Sequence, residues 1–123
     1  MGSNRPVKVA EAVKREMAAL LLRDIKDSRV KNHLTSVTEV EVTNDLRHVT
    51  IFISVLGDKE QKTNVMKGLE SAKGFIRSEI GQRINLRFVP EIHLKLDESL
   101  EKGDKLLALM DKLKQDEPAT QVE

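Results

Sequence analysis

Residues 60–84 read EQKTNVMKGLESAKGFIRSEIGQRI, a helical pattern with a weak point near its centre. Apolar residues recur at helical spacing along this stretch, at Val65, Leu69, Ala72, Ile76 and Ile80. Gly74 interrupts the pattern, because a glycine inside a helix costs about 1 kcal/mol relative to alanine and lets the helix bend. The stretch therefore predicts two helices joined by an interrupted Ala-x-Gly kink at Ala72-Lys73-Gly74.

Basic side chains surround this kink, at Lys67, Lys73, Arg77 and Arg83. The small residues would let another backbone come close, and the free N–H groups at the start of the second helix would favour an anion. This combination favours contact with an RNA sugar-phosphate backbone over catalysis. Helix physics alone leaves a packing role equally open, because Gly68, Gly74 and Gly81 recur at intervals of six and seven residues, near one helical face, which could equally indicate close helix packing.

The segments before the kink predict one more helix and a hairpin. Residues 6–26 carry an apolar stripe with Pro6 in the first turn, which predicts a helix. A polar connection then runs through His33. Alternating apolar residues predict two antiparallel strands, over residues 35–43 and 47–56, joined by the turn Thr43-Asn44-Asp45-Leu46.

A third strand is predicted over residues 86–96, where Ile92, Leu94 and Leu96 share one face. Pro90 has no N–H donor, so either the ladder starts after it or the strand lies at an edge of the sheet. The order is then helix-strand-strand-helix-helix-strand. Since the third strand follows a helix, we expect an α+β fold with a three-stranded mixed sheet and helices on one face.

Charge is divided unevenly along the chain. Its net charge is +1, with 17 basic and 12 acidic residues through Leu96 and 4 basic and 8 acidic residues from Asp97 onward. We predict a domain over residues 1–97 and an acidic tail over 98–123, helical at about 103–114 and disordered beyond. The mildly basic domain suits a nucleic-acid partner. With three phenylalanines as the only aromatic residues, phosphate and sugar contacts are favoured over stacking of many bases.

The sequence shows no catalytic or metal-binding constellation. Cysteine is absent, which excludes disulfides and thiolate metal sites. His33, His48 and His93 fall in separate predicted elements, whereas metal sites usually show clustered ligands. No phosphate-binding glycine motif occurs, and apolar runs are too short for a membrane span. We therefore expect a protein that is not an enzyme, that needs neither a cofactor nor a metal, and that does not enter a membrane.

Several segments, taken in order, resemble the ribosome-binding factor A family. They are Arg5-Pro6 with Val9-Ala10-Glu11, residues 37–48 (VTEVEVTNDLRH), residues 52–57 (FISVLG), residues 72–81 (AKGFIRSEIG) and residues 86–92 (LRFVPEI), followed by Leu96-Asp97-Glu98-Ser99. The resemblance runs from about Arg5 to Lys114. One departure is Ser28, which stands where the family usually has proline in an Asp-Pro-Arg-Val turn, so this turn should be less rigid.

The resemblance implies a type II KH-like domain, in which the Ala-x-Gly kink replaces the G-x-x-G loop that clamps nucleic acid in KH domains. It also implies assembly of the small ribosomal subunit, through binding to the immature 30S particle and its 16S rRNA. Late processing of 16S rRNA and growth in the cold would depend on such a protein. The implied protein is a monomer in the cytoplasm, or in an organelle stroma or matrix, and a ribosome-assembly GTPase assists its release.

The candidate RNA-binding residues combine the kink with nearby basic positions. Ala72 and Gly74 would permit a close approach of the RNA backbone. Phosphate contacts are expected first from Lys67, Lys73, Arg77, Arg83 and Arg87, and secondarily from Arg47, His48, Arg5, Lys8 and Arg15.

Two other classes of function stay open. A protein-protein adaptor would use the apolar face of the tail between Leu106 and Leu113. An enzyme would need an acid–base or metal constellation that the sequence does not display.

Overall fold

The computed structural model describes residues 5–99. Its helices are α1 (Arg5–Ala19), continued by a π-helical turn (Leu20–Asp24), α2 (Ser28–Lys31), α3 (Lys59–Ser71) and α4 (Lys73–Ile84). Its strands are β1 (Thr35–Val42), β2 (His48–Val55) and β3 (Glu91–Leu96). The predicted α+β class and element order are confirmed, with α2 as an addition. The predicted tail helix over about 103–114 and the disordered end lie outside the described residues.

The first helix differs from the predicted span of 6–26, because its last turn is wider. The N–H of Ile25 donates to the carbonyl of Leu20 at 2.9 Å, so the final hydrogen bond spans five residues. Leu20 and Ile25 are both buried, while Leu22 between them is exposed. The apolar pattern of the sequence follows the α-helical repeat and does not reveal a hydrogen bond that spans five residues. It therefore predicts a continuous α-helix.

The connection after α1 contains the short helix α2, which the sequence did not predict. The carboxylate of Asp27 accepts a hydrogen bond from the backbone N–H of Arg29 and caps this helix. Val30 points inward and is buried. Four residues are too few to show a 3.6-residue period, so the sequence pattern predicts only a polar connection here.

The three strands form a mixed sheet in the order β1-β2-β3, as predicted. β1 and β2 are antiparallel, and β2 and β3 are parallel. The register between β1 and β2 shifts between Val37 and Glu39, so Thr38 is the extra residue of a bulge. β3 begins at Glu91, which settles the role of Pro90: the predicted span of 86–96 was too long, and the ladder starts after the proline.

The hydrophobic core lies between one face of the sheet and the helices α1, α3 and α4. The predicted inward face of β2 is confirmed, since its alternate residues Val49, Ile51, Ile53 and Val55 are all buried. The predicted stripe of α3 and α4 is also buried, at Val65, Leu69, Ile76 and Ile80, with Ala72 packed against it. The helices therefore cover one face of the sheet, and the opposite face carries His48 and His93.

Candidate nucleic-acid interface

The predicted kink is one residue long. α3 ends at Ser71 and α4 begins at Lys73, with Ala72 between them at φ −91° and ψ 4°. The N–H of Ala72 still donates to the carbonyl of Gly68, and its carbonyl accepts from Ile76. Ala72 thus keeps helical hydrogen bonds to both α3 and α4, which helps to fix the direction of α4 relative to α3.

The three glycines of this region have different surroundings. A Cβ at Gly68 would lie 2.8 Å from Val30 Cγ2, and one at Gly81 would lie 2.7 Å from Val89 Cγ2. These two glycines therefore serve close packing, one against α2 and the other against the segment before β3. A Cβ at Gly74 would meet nothing within 4 Å among the described residues. Packing within the domain does not explain Gly74, whose exposed backbone is open to an outside molecule.

The lysines near the kink lie on the surface. Lys73 Nζ is 3.7 Å from Glu70 Oε1, an ion pair one turn back along the chain. Lys67 lies beside a second, shallower groove, together with Arg29, Lys62 and Leu96. Lys8 and Arg15 are exposed on α1. None of these four positions lines the cavity of about 700 Å³ formed by α4 and the segments around it, so the structure separates them from the residues of that cavity.

Two of the predicted phosphate-binding arginines are engaged inside the domain. Arg77 donates from Nε to the carbonyl of Pro90 at 3.0 Å and from Nη2 to the carbonyl of Val89 at 3.1 Å. It therefore holds the segment before β3 against α4.

Arg83 binds carboxylates from three parts of the chain. Its guanidinium lies 2.8 Å from Asp24, 3.2 Å from Glu79 and 3.5 Å from Glu16. The hydrogen bond to Asp24 and then that to Glu79 raise the pKa of Arg83. Through these carboxylates Arg83 joins α1 to α4. Because they already compensate its charge, Arg83 is the candidate least suited to binding a phosphate.

Five of the candidates meet around one cavity of about 700 Å³ at the other end of α4. They come from three separate segments: the start of α1, the turn between β1 and β2, and α4 with the loop that follows it. The residues are Arg5, Arg47, His48, Arg77 and Arg87. Asp45 and Glu91 are the acidic residues in the lining, so four arginines face two carboxylates. The cavity is accordingly basic, with the kinked helix α4 as one of its walls.

Hydrogen bonding organises the turn that carries Arg47. The hydroxyl of Thr43 donates to Asp45 at 2.7 Å, and the N–H of Arg47 donates to the same carboxylate at 3.1 Å. These contacts hold the pKa of Asp45 below its ordinary value. Arg47 Nε is 3.9 Å from this carboxylate, and 80% of the Arg47 side chain is exposed. The turn thus holds the backbone of Arg47 in place, and the arginine side chain remains accessible to solvent.

Phe88 is a further cavity residue that the sequence did not single out. Because β3 begins only at Glu91, residues 86–90 are a loop, and Phe88 stands out from it with 78% of its surface exposed. The guanidinium carbon of Arg87 lies 5.7 Å from the centre of the Phe88 ring. Pro90, which excludes residues 86–89 from the ladder, was the signal that could have identified this loop.

A contact between two histidines was also not predicted from the sequence. His48 Nδ1 and His93 Nε2 are 3.1 Å apart, and the two rings stack with their centres 5.3 Å apart. Parallel pairing of β2 with β3 makes them neighbours, a relation that separate reading of the two strands cannot give. Among residues 5–99 no group of three or more His, Cys, Asp or Glu side chains could hold a metal ion. No helix in that part of the chain is long and apolar enough to cross a membrane.

Comparison with known proteins shows which family the chain resembles. Residues 5–110 match the family model described as ribosome-binding factor A. The ribosome-binding factor A of Nostoc punctiforme is 47% identical over 119 residues, which cover 96% of this chain and 86% of that protein. The corresponding protein of Synechocystis is 49% identical over 113 residues, covering 92% and 85% of the two chains.

Solved structures of similar fold carry the same description. A Thermotoga maritima protein described as a ribosome binding factor A has a TM-score of 0.64 at 26% identity, with 76% of this chain and 89% of that chain covered. A homology model of the Thermus thermophilus factor, fitted into an electron cryomicroscopy map of a complex with the 30S subunit, has a TM-score of 0.56 at 14% identity. That match covers 80% of this chain and 97% of the other, and it supports the KH-like fold.

Proposed function

The chain belongs to the ribosome-binding factor A family, and we propose that it binds the RNA of the small ribosomal subunit during assembly of that subunit. The 30S complex of the Thermus thermophilus factor supports the choice of partner. In this proposal the protein acts on the immature particle and its 16S rRNA, supports late 16S rRNA processing and growth in the cold, and catalyses no reaction. It works as a cytoplasmic monomer, and a ribosome-assembly GTPase assists its release.

The observation that carries the proposal is the basic cavity at the end of α4. Three segments that are distant in sequence bring Arg5, Arg47 and Arg87 to one place. Arginine binds phosphate oxygens through a planar fork of N–H donors and stays charged at all physiological pH values. An RNA backbone that crosses this cavity would exchange its counterions for these guanidinium groups, which favours binding at low salt.

The kink extends the same interface along α4. Gly74 is exposed, and one turn later Arg77 forms part of the cavity wall. RNA that crosses the cavity therefore has a path along α4 toward the kink, where the missing Cβ of Gly74 leaves room for a sugar-phosphate backbone. Lys73 at the start of α4 would add charge at the end of this path.

Charge reversal at the cavity tests the proposal. The double variant Arg47→Glu, Arg87→Glu changes two exposed side chains, neither of which anchors the fold as Arg77 does. We expect at least about tenfold weaker co-sedimentation with small-subunit precursors. If the wild-type protein contacts about four phosphates, log affinity should fall with log salt at a slope of roughly −3. The variant slope should be flatter by roughly 2, one for each lost contact.

The matched control is Lys31→Glu, Lys59→Glu, which changes the net charge equally at two exposed positions outside the cavity lining. It should sediment with the subunit much as the wild-type protein does. Equal binding by all three proteins, or a flat salt response of the wild-type protein, would contradict the proposal.

A further inference from the structure

Phe88 is held in an exposed position by a firmly anchored loop. Asn85 ends α4 in the left-handed conformation, at φ 60° and ψ 46°. Arg77 then binds the carbonyls of Val89 and Pro90, and Val89 packs onto Gly81. Contacts on both sides of Phe88 thus fix the backbone, so the exposure of its ring follows from the fold.

The exposed Phe88 ring lies beside the charged side chains that line the cavity. A phenylalanine side chain gains roughly 1.5–3 kcal/mol when it is fully buried, and this one forgoes most of that gain. Among the described residues its one charged ring contact is the guanidinium of Arg87, 5.7 Å from the ring centre. With 78% of the residue exposed, ring surface remains for a second planar group.

The cavity supplies the rest of a nucleotide site. Arg5, Arg47 and Arg87 line it together with Phe88, so phosphate-binding and stacking groups share one space. Its volume of about 700 Å³ lies within the range of roughly 300–1,000 Å³ that is usual for small-ligand sites. A paired base inside an RNA helix cannot reach such a ring, because its faces are covered by its neighbours in the stack.

We infer that this cavity receives one unpaired nucleotide of an RNA, with its base stacked on Phe88 and its flanking phosphates on Arg47 and Arg87. The inference rests on the proposed function and deepens it. The protein then distinguishes RNA that offers an extrahelical base from uninterrupted duplex. Stacking of one base on an aromatic side chain contributes about 1–3 kcal/mol, which corresponds to a roughly 5- to 150-fold difference in affinity.

Two RNA duplexes that differ only by a single unpaired adenosine provide the test. The wild-type protein should bind the bulged duplex at least about fivefold more tightly than the fully paired one. Phe88→Leu should abolish this preference while it leaves the affinity for the paired duplex unchanged, and Phe88→Tyr should retain it. Phe75→Leu is the matched control: Phe75 is also exposed, but it lies near Ala72 and outside this cavity, so the preference should persist.

The absence of tryptophan from the chain allows a direct readout. Phe88→Trp places a single indole at the site, and a base stacked on it should quench its fluorescence when the bulged duplex is added. The paired duplex should quench it far less. Phe75→Trp should respond equally to both RNAs.

The outcomes separate this inference from the proposed function. Equal binding of both duplexes with a steep salt response, or a preference that survives Phe88→Leu, overturns the nucleotide site and leaves RNA binding intact. Loss of small-subunit binding in Phe88→Leu also overturns it if the wild-type protein shows no preference for the bulged duplex, since Phe88 would then contact a ribosomal protein. Failure to bind either duplex or the small subunit overturns both proposals.

Discussion

Gly74 has open space where a Cβ would lie, and Gly68, six residues earlier, does not. This contrast separates two reasons for a glycine in a helix. At Gly68 the neighbouring side chain is that of the buried Val30, whose branched side chain has little rotational freedom. At Gly74 no atom of the described domain lies where a Cβ would be, so packing does not explain the glycine. The free-energy cost of a glycine in the first turn of α4 therefore needs an external reason.

We predict opposite effects of alanine at these two positions. Gly74→Ala should stabilise the domain by about 0.5–1 kcal/mol, because alanine loses less backbone entropy in a helix. Gly68→Ala should destabilise it by about 1 kcal/mol, because overpacking against Val30 outweighs the gain in helix propensity. Denaturant unfolding measures both changes. Binding to the small subunit should weaken in Gly74→Ala despite the higher stability, and unchanged binding would show that no backbone approaches at the kink.

Asp27 gives a residue-scale prediction for acid conditions. Arg29 donates to this carboxylate from Nε at 3.0 Å and from Nη2 at 2.6 Å, and its backbone N–H donates at 2.9 Å. These hydrogen bonds lower the pKa of Asp27 from 3.8 to about 2. The unfolded chain binds this proton at higher pH than the folded one, so the contribution to stability is complete above about pH 4 and is lost as the pH falls toward 2.

The pKa of Asp27 can be followed by carboxyl-carbon NMR across this pH range. Arg29→Met should shift it upward, toward the ordinary value, because the two guanidinium bonds are lost while the backbone bond remains. A midpoint near 3.8 in the wild-type protein would show that the guanidinium contact does not form in solution.

At the scale of elements, α2 supports the kink from the side. It packs on the last turns of α3, where Gly68 makes room for Val30 and Arg29 Nη2 donates to Ser71 at 3.2 Å. Ser71 is the last residue of α3, directly before the junction at Ala72. The direction of α4 therefore depends partly on a four-residue helix that begins at Ser28.

Proline should fit at Ser28. It is the first residue of α2, where the helix leaves the N–H without an intrahelical partner, and Asp27 before it has ψ 124°, a value suited to a residue that precedes proline. Ser28→Pro should raise stability by about 0.4–1 kcal/mol, chiefly by restricting the unfolded chain. Thermal unfolding should show a midpoint higher by roughly 2–6 °C. Ser36→Pro, in the exposed part of β1, is the contrasting control and should destabilise; a lower midpoint for Ser28→Pro would contradict this account of α2.

Elements with a long, regular pattern were predictable from sequence, and the irregular ones were not. The stripe from Val65 to Ile80 and the alternation of β2 gave correct elements and correct buried faces. The π-helical turn and α2 were missed because neither repeats long enough to show a period. The basic cavity could not be predicted from the sequence either. Its basic residues could be proposed one by one, but only the packing of α1, the β1–β2 turn and the α4–β3 loop brings them together.

At the scale of the whole molecule, charge separates the described domain from the chain that follows it. The first 99 residues carry 17 basic and 14 acidic residues, and residues 100–123 carry 4 basic and 6 acidic ones. Within the described part, the buried Lys62 lies 3.9 Å from Glu98, which ties the chain just after β3 to α3. Any truncation that is meant to keep the domain intact should therefore retain Glu98.

Deletion of residues 100–123 distinguishes an RNA-binding domain from an adaptor that works through Leu106–Leu113. The deletion raises the net charge from +1 to +3, so an RNA interface formed by the domain should keep its affinity for 16S rRNA fragments or gain slightly at low salt. An adaptor would lose its partner and with it the small subunit. Sedimentation with precursors and RNA binding are measured on the same preparation, after circular dichroism has shown a folded domain. Loss of both activities from a folded truncation would place the binding site in the tail and contradict the assignment of the interface to α4 and the cavity.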